Sequence, residues 1–255
     1  MIRIFKTEDG AMHEKEEMQP GCWIALTNPT ASEIIDIADT YQIDPDHLRA
    51  PLDEEERSRL EHEDNYTMIL ANIPVVRAEE GKRLYETIPL GIFITEKVVF
   101  TVCLEETNIL KQFTDGLVPN FYTYMKTRFV YQILYNNAAL FLVYLRMIDK
   151  RANQVEEILH ETSRNKDLIQ LYDLEKCLVY FTTSLKSNEV VLEKLRKHIG
   201  LKHYEEDQEL LEDVIIENKQ AMEMNMNVAP DEVFPADCTV VAAGANSDLN
   251  KVSEN

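Results

Sequence analysis

The chain has 255 residues, with 26 Lys+Arg set against 46 Asp+Glu, a formal net charge of −20. That balance excludes a nucleic-acid binder, which needs clustered Lys and Arg to neutralise phosphate, and disfavours docking on an anionic membrane; it suits attraction of cations. Seven glycines leave little room for Gly-rich phosphate loops, and neither GxGxxG nor GxxxxGK[ST] occurs.

Residues 1–120 mix strand and helix signals. Short apolar runs rich in β-branched residues stand at 2–5, 22–26, 68–76, 88–95 and 98–102, the last two flanking Glu96-Lys97 as a hairpin turn. Thr30, with Glu33 three residues on, predicts a capping box opening a helix that turns Ile34, Ile35, Ile37 and Ala38 inward. Asp44-Pro45-Asp46 starts a second short helix, and 107–117 reads as another. Asp53-Glu54-Glu55-Glu56 reads as a helix N-terminus favoured by the dipole, with Arg57 or Arg59 pairing to a nearby acid. Trp23 reads as a core or interface anchor. Strands and helices sharing one region imply a small layered α/β domain.

Residues 121–224 contain no Pro and a single Gly, Gly200. Leu134, Ala138, Phe141, Leu145, Ile148, Ala152, Val155 and Leu159 alternate four and three apart; a polar break follows at 162–167. Leu171, Leu178, Leu185, Leu192 and Ile199 then recur every seven residues, interleaved with Leu174, Phe181, Asn188 and Leu195. Such patterns predict two long helices in an antiparallel hairpin, each on the order of 40 Å, with Asn188 as a polar register pin.

A third helix starts near Glu205, with Leu210, Val214, Ala221 and Met224 as apolar positions that skip a beat at Glu217. Beside them Glu206, Glu209, Asp213, Glu217 and Gln220 form an acidic stripe. Like charges at that spacing repel by a few tenths of a kcal/mol per pair, so either water solvates the stripe or a cation sits on it. From Asn225 two prolines and a small polar stretch predict a poorly ordered tail over 225–255.

No stretch reaches the roughly 18–20 apolar residues of a membrane span, and the first ten residues lack a signal-peptide core, so the chain as given is expected to be cytoplasmic, without membrane insertion. Cys22, Cys103, Cys177 and Cys238 form no CxxC and read as buried free thiols. The six histidines make no HExxH, and no nucleophile motif such as GxSxG occurs, so enzyme activity has no support.

Three segments carry a resemblance. Gly21-Cys22-Trp23-Ile24-Ala25-Leu26-Thr27-Asn28-Pro29-Thr30 resembles the W-I-x-L-x-x-P-T entry of the CorA family of magnesium transporters. Leu52 to Glu61, then Asp64-Asn65-Tyr66, is similar to its D-x-x-E-R-x-R-x-E…D-x-Y signature. Ile88-Pro89-Leu90-Gly91-Ile92-Phe93-Ile94 with Val99-Phe100-Thr101-Val102 is similar to its PLGIIL…ITV hairpin. The order and spacing agree over residues 1–224. The resemblance implies an α/β fold in which an N-terminal α/β/α layered domain precedes long antiparallel helices of a funnel and stalk. It implies assembly as a homopentamer, in the cell inner or plasma membrane with this portion facing the cytoplasm. The likeness stops near Met224, before the first membrane segment and without a Gly-Met-Asn loop. The expectation is therefore the cytosolic, ion-sensing portion of a CorA-like magnesium transporter, not transport-competent as given, such as a truncation, frameshift or gene fragment would leave.

In that family cytosolic magnesium is sensed by carboxylates at subunit interfaces. The resemblance places the stalk ligand at Asp213 or Glu217 and the opposing one at Glu79 or Glu80, in the loop before the hairpin. Mg²⁺ keeps several waters and needs only one or two carboxylates. Removal of interfacial repulsion by the ion implies a closed assembly with metal and a splayed one without. Two rival readings stand beside this: a cytosolic coiled-coil adaptor with merely solubilising acids, and a zinc or cobalt transporter of the same superfamily.

Overall fold

The computed structural model describes residues 1–79, 82–161, 165–197 and 205–228. Seven strands form one sheet: β1 (Ile2–Glu8), β2 (Ala11–Lys15), β3 (Trp23–Thr27), β4 (Arg59–His62), β5 (Tyr66–Glu79), β6 (Lys82–Thr95) and β7 (Val99–Cys103), in the order β2-β1-β3-β7-β6-β5-β4. β3 and β7 pair in parallel, and every other neighbouring pair is antiparallel. The five apolar runs became β1, β3, β5, β6 and β7. They read as continuous runs because both sheet faces are covered. In β3, Trp23 enters one core while Ile24 and Leu26 enter the other; in β7, Val99 and Cys103 oppose Phe100 and Val102 in the same way.

One face is roofed by α1 (Ala31–Tyr41), α2 (Pro45–Arg49) and a 3-10 turn at Ala50–Leu52. The Thr30 capping box forms as expected: the Glu33 amide donates to Thr30 Oγ1 at 3.3 Å and the Thr30 amide to Glu33 Oε2 at 2.7 Å. α1 buries Ile34, Ile37 and Ala38, but Ile35, expected inward, stays 46% exposed on the opposite face. The 3-10 turn sits directly on Gly91 of β6, where a Cβ would lie 2.3 Å from Pro51 Cγ. The signature acids that follow do not start a helix. Asp53 Oδ1 instead accepts the Glu55 amide in a tight turn, Glu54 pairs with Arg77 at 2.8 Å, and Glu56 pairs with Arg59 at 2.7 Å. Arg59 is thus the expected partner of an acid, while the chain leaves the turn as edge strand β4.

The other face carries α3 (Asn108–Thr114), capped by Thr107, and parts of three long helices: α4 (Lys126–Glu161), α5 (Asn165–Lys197) and α6 (Glu205–Val228). Trp23 is fully buried there among Phe5, Phe113, Phe121 and Phe129, and its indole N–H donates to Thr101 Oγ1 at 2.8 Å. One core therefore joins the sheet to Phe129, Ile133, Leu192, Leu195, Val214 and Ile215 of the long helices, while Phe141, Leu145, Leu178 and Phe181 build a second core toward the α4–α5 end. α4 and α5 run antiparallel: Phe141 meets Phe181 edge-on at 4.9 Å, and Arg151 bonds Gln170 at 2.7 Å. The layers are thus α/β/α with long helices extending beyond the sheet, as the resemblance implied.

Asn188 has a different role from the one its heptad position suggested. Its Oδ1 accepts from the Asn72 amide (2.9 Å) and Ser58 Oγ (2.9 Å), and its Nδ2 donates to the Asn72 carbonyl (2.8 Å). The ladder of β4 on β5 ends at Arg59 opposite Leu70, so Asn72 lies beyond the last paired residue. A side-chain amide from α5 takes the place of the missing strand, because buried backbone polar groups must find partners. Asn137 of α4 donates to the same carbonyl at 3.0 Å, so Asn72 ties both helices to the sheet. Cys22, Cys103 and Cys177 are buried free thiols as expected; Cys238 lies outside the described residues.

Candidate metal centre on the third long helix

α6 owes its orientation to polar side chains that the sequence pattern disguises. Its buried row is Asp207, Leu211, Val214, Asn218, Ala221 and Asn225, spaced four and three apart throughout. The expected row through Leu210, Val214, Ala221 and Met224 was partly out of phase, because Asn218 and Asn225 do not look like core residues. The amide N–H groups of both are donated to α5. Asn218 Nδ2 donates to the Leu185 carbonyl at 3.3 Å, and Asn225 Nδ2 to the Leu178 carbonyl at 3.2 Å and to Thr182 Oγ1. Seven residues up α6 correspond to seven residues down α5, so the two bonds fix an antiparallel register. Asp207 stays buried beside the Arg128 guanidinium (3.8 Å), which also pairs with Glu206 at 3.1 Å. The helix continues to Val228 rather than ending at Met224; Ala229 to Asn255 lie outside the described residues.

With that row turned inward, the acidic stripe faces out. Asp213 is exposed and Glu217 half-buried, one turn apart on the same face, and neither forms a salt bridge among the described residues. Two carboxylates at this spacing repel one another, and a hydrated Mg²⁺ could take an oxygen from either while keeping its waters. The outer face is not wholly polar: Ile216 is 51% exposed between them. Val143 and Met147 on α4, and Tyr172, Val179 and Val190 on α5, are also exposed apolar side chains.

The opposing half of the predicted site lies elsewhere. Glu79 ends β5, its backbone paired with Lys82, and its side chain, like the whole of Glu80, is outside the described residues. The nearby Arg83 of β6 lines a cleft of about 460 Å³ with Tyr85, Lys150, Arg151 and Asp173, so Arg83 lies level with Asp173 on α5. By the register of the two Asn bonds, Asp213 stands level with Val190, about 17 residues further along α5. At about 1.5 Å per residue that is roughly 25 Å of axial separation. Within one chain Arg83, near the start of β6, and the acids of α6 are therefore not neighbours.

Comparison with known proteins places the chain. The family model described as "CorA-like Mg2+ transporter protein" matches residues 19–228. The cobalt/magnesium transport protein CorA of Methanocaldococcus jannaschii is 23% identical over 239 residues, 90% of this chain and 72% of the relative. Among solved structures, the soluble domain of that archaeal CorA superposes with a TM-score of 0.78 at 22% identity, covering 90% of this chain and 92% of the other. The complete CorA structure from the same organism gives 0.80 at 20% identity, covering 98% and 79%. The cytoplasmic domain of ZntB from Vibrio parahaemolyticus gives 0.60 at 11% identity, covering 89% and 88%. The fold is thus the one seen in the soluble domain of CorA. The chain belongs to the CorA-like magnesium transporter family, and among the described residues no helix is long and apolar enough to cross a membrane.

Proposed function

We propose that this chain is the cytosol-facing, ion-sensing portion of a CorA-like magnesium transporter, and that it works as a homo-oligomer, a pentamer by family resemblance. The observation that carries this reading is the pair Asp213 and Glu217, held outward by the buried Asn row and without a cationic partner among the described residues. In the proposed assembly Asp213 or Glu217 of one copy meets Glu79 or Glu80 of the next, with hydrated Mg²⁺ between them. Arg83, four residues past Glu79, lies roughly 25 Å along the helices from the level of Asp213, and the pairing is therefore proposed to use a second copy. Exposed Val143, Met147, Val179, Val190 and Ile216 on the long helices supply apolar surface for subunits to share.

Bound ions hold the assembly closed by cancelling carboxylate repulsion, and their loss splays it. The archaeal relative is named for cobalt as well as magnesium, so Co²⁺ belongs with Mg²⁺ among the candidate ions, and Zn²⁺ is a further candidate. The test is thermal unfolding with Mg²⁺ and after chelation, for the natural sequence, Asp213→Ala and Glu217→Ala. Stabilisation by Mg²⁺ that shrinks in the variants supports the proposal. Equal melting in all conditions rejects it and favours the helical adaptor.

A further inference from the structure

Far from α6, three elements of the α/β domain bring nitrogen and oxygen donors together. α2 carries His47, edge strand β4 carries Glu61, and the following turn carries Glu63; one donor atom from each lies within 4.8 Å of the others. His47 Nε2 is 3.0 Å from Glu61 Oε2. The opposite ring nitrogen, Nδ1, is 2.7 Å from Tyr66 Oη, and that hydroxyl also accepts the Asp44 amide at 3.2 Å, so it is itself held in place by the cap of α2. Tyr66 is buried, with its ring edge-on to the imidazole at 5.9 Å. The Glu63 amide donates to the Tyr66 carbonyl at 2.9 Å, which closes the turn and fixes where Glu63 departs. Glu61 presents its other oxygen to Arg59.

We infer that His47, Glu61 and Glu63 form a binding site for a divalent transition-metal ion such as Co²⁺ or Zn²⁺, distinct in place and chemistry from the proposed magnesium site. Imidazole with carboxylates suits such ions, whereas Mg²⁺ prefers oxygen and octahedral hydration. Donor atoms around a tetrahedral ion at about 2.1 Å stand about 3.4 Å apart. The separation of 4.8 Å or less therefore closes by about 1.5 Å at most, within reach of the exposed Glu63 side chain. The Tyr66 hydroxyl does what outer partners of metal-bound histidines do, orienting the ring from its far nitrogen. With the ion bound, the proton resides on Nδ1 and is donated to the Tyr66 oxygen, freeing the Nε2 lone pair. Arg59 offsets one of the two carboxylate charges, and water fills the remaining position on the ion.

The test uses the full chain in saturating Mg²⁺, titrated with Co²⁺ and followed by visible absorption, so neither assembly nor the magnesium proposal enters the readout. The expected result is a band of low-coordinate cobalt saturating at one Co²⁺ per chain. His47→Gln abolishes it, Tyr66→Phe weakens binding by about 10–100-fold, and His13→Gln, on the opposite edge strand β2, leaves it unchanged, with circular dichroism confirming the fold throughout. Should His47→Gln not fold, Glu63→Gln at the exposed turn lowers affinity at least about 10-fold by losing one ligand. The inference is overturned by absorption no stronger than that of hydrated cobalt, by a band that survives His47→Gln in a folded chain, or by undiminished affinity in Glu63→Gln.

Discussion

Asn188→Ala isolates the bond between the long helices and the sheet. Asn188 is 4% exposed and makes three hydrogen bonds, two to the Asn72 backbone and one from Ser58 Oγ. Its loss orphans no backbone group: the Asn72 amide keeps Ser58 Oγ at 3.1 Å, and the carbonyl keeps Asn137 Nδ2 at 3.0 Å. The cost is therefore the net worth of three bonds, about 0.5–1.5 kcal/mol each, and not an added desolvation penalty. That gives roughly 2–4 kcal/mol. For a chain of this size it corresponds to a fall in melting temperature on the order of 5–15 °C, measured at fixed protein concentration because assembly would also shift it. Urea unfolding should show a lower midpoint with an unchanged slope. Ser58→Ala, combined with Asn188→Ala, should show a coupling of about 0.5–1.5 kcal/mol in a double-mutant cycle. A loss below about 0.5 kcal/mol for Asn188→Ala, of the size expected at an unremarkable surface position, would refute this role.

Two further expectations rest on the sheet. Gly91→Ala places a Cβ 2.3 Å from the Pro51 ring, and since neither a strand nor a proline yields easily, stability should fall by about 1–3 kcal/mol on thermal unfolding. Burial lifts the Cys103 thiol from its ordinary 9.0 to about 11. The unfolded chain then loses that proton before the folded one, so this contribution is complete below pH 9 and is lost as the pH rises to 11. A two-unit shift amounts to roughly 2–3 kcal/mol. Urea titrations from pH 8 to 11 should show a shallower alkaline decline for Cys103→Ala than for the natural sequence, and equal slopes would contradict the burial argument.

The interior strands announce themselves because both sheet faces are buried: β3 and β7 can be nearly all apolar, and β5 and β6 keep long apolar stretches. The edge strands do not. AMHEK in β2 and RLEH in β4 pair on one side only and carry partly exposed polar side chains, so neither alternation nor an apolar run marks them. Asp53–Glu56 have the composition of a helix start, yet Glu54 pairs with Arg77 on β5, which local sequence cannot show, while Glu56 pairs with Arg59 three residues on, as expected. The heptads of α4 and α5 were legible because Leu and Phe fill them. In α6 Asn218 and Asn225 occupy core positions, their amide N–H groups donated to α5 carbonyls across the bundle, and a hydrophobic pattern misses that phase. The acidic stripe was visible for the same reason that the buried row was hidden, since charge marks an outward face more plainly than amides mark an inward one. His47, Glu61 and Glu63 come from a helix, an edge strand and a turn, and no spacing rule joins them.

Sedimentation velocity on the full chain, with millimolar Mg²⁺ and after its chelation, bears most directly on the sensing role, with the doubly neutralised Asp213→Asn, Glu217→Gln chain run alongside. The natural sequence should form a larger, more stable particle with Mg²⁺ and dissociate or expand without it. The neutralised chain should assemble in both conditions, because it has no repulsion left for an ion to cancel. A natural chain indifferent to Mg²⁺, or a neutralised one that responds as strongly as the natural chain, would contradict the account.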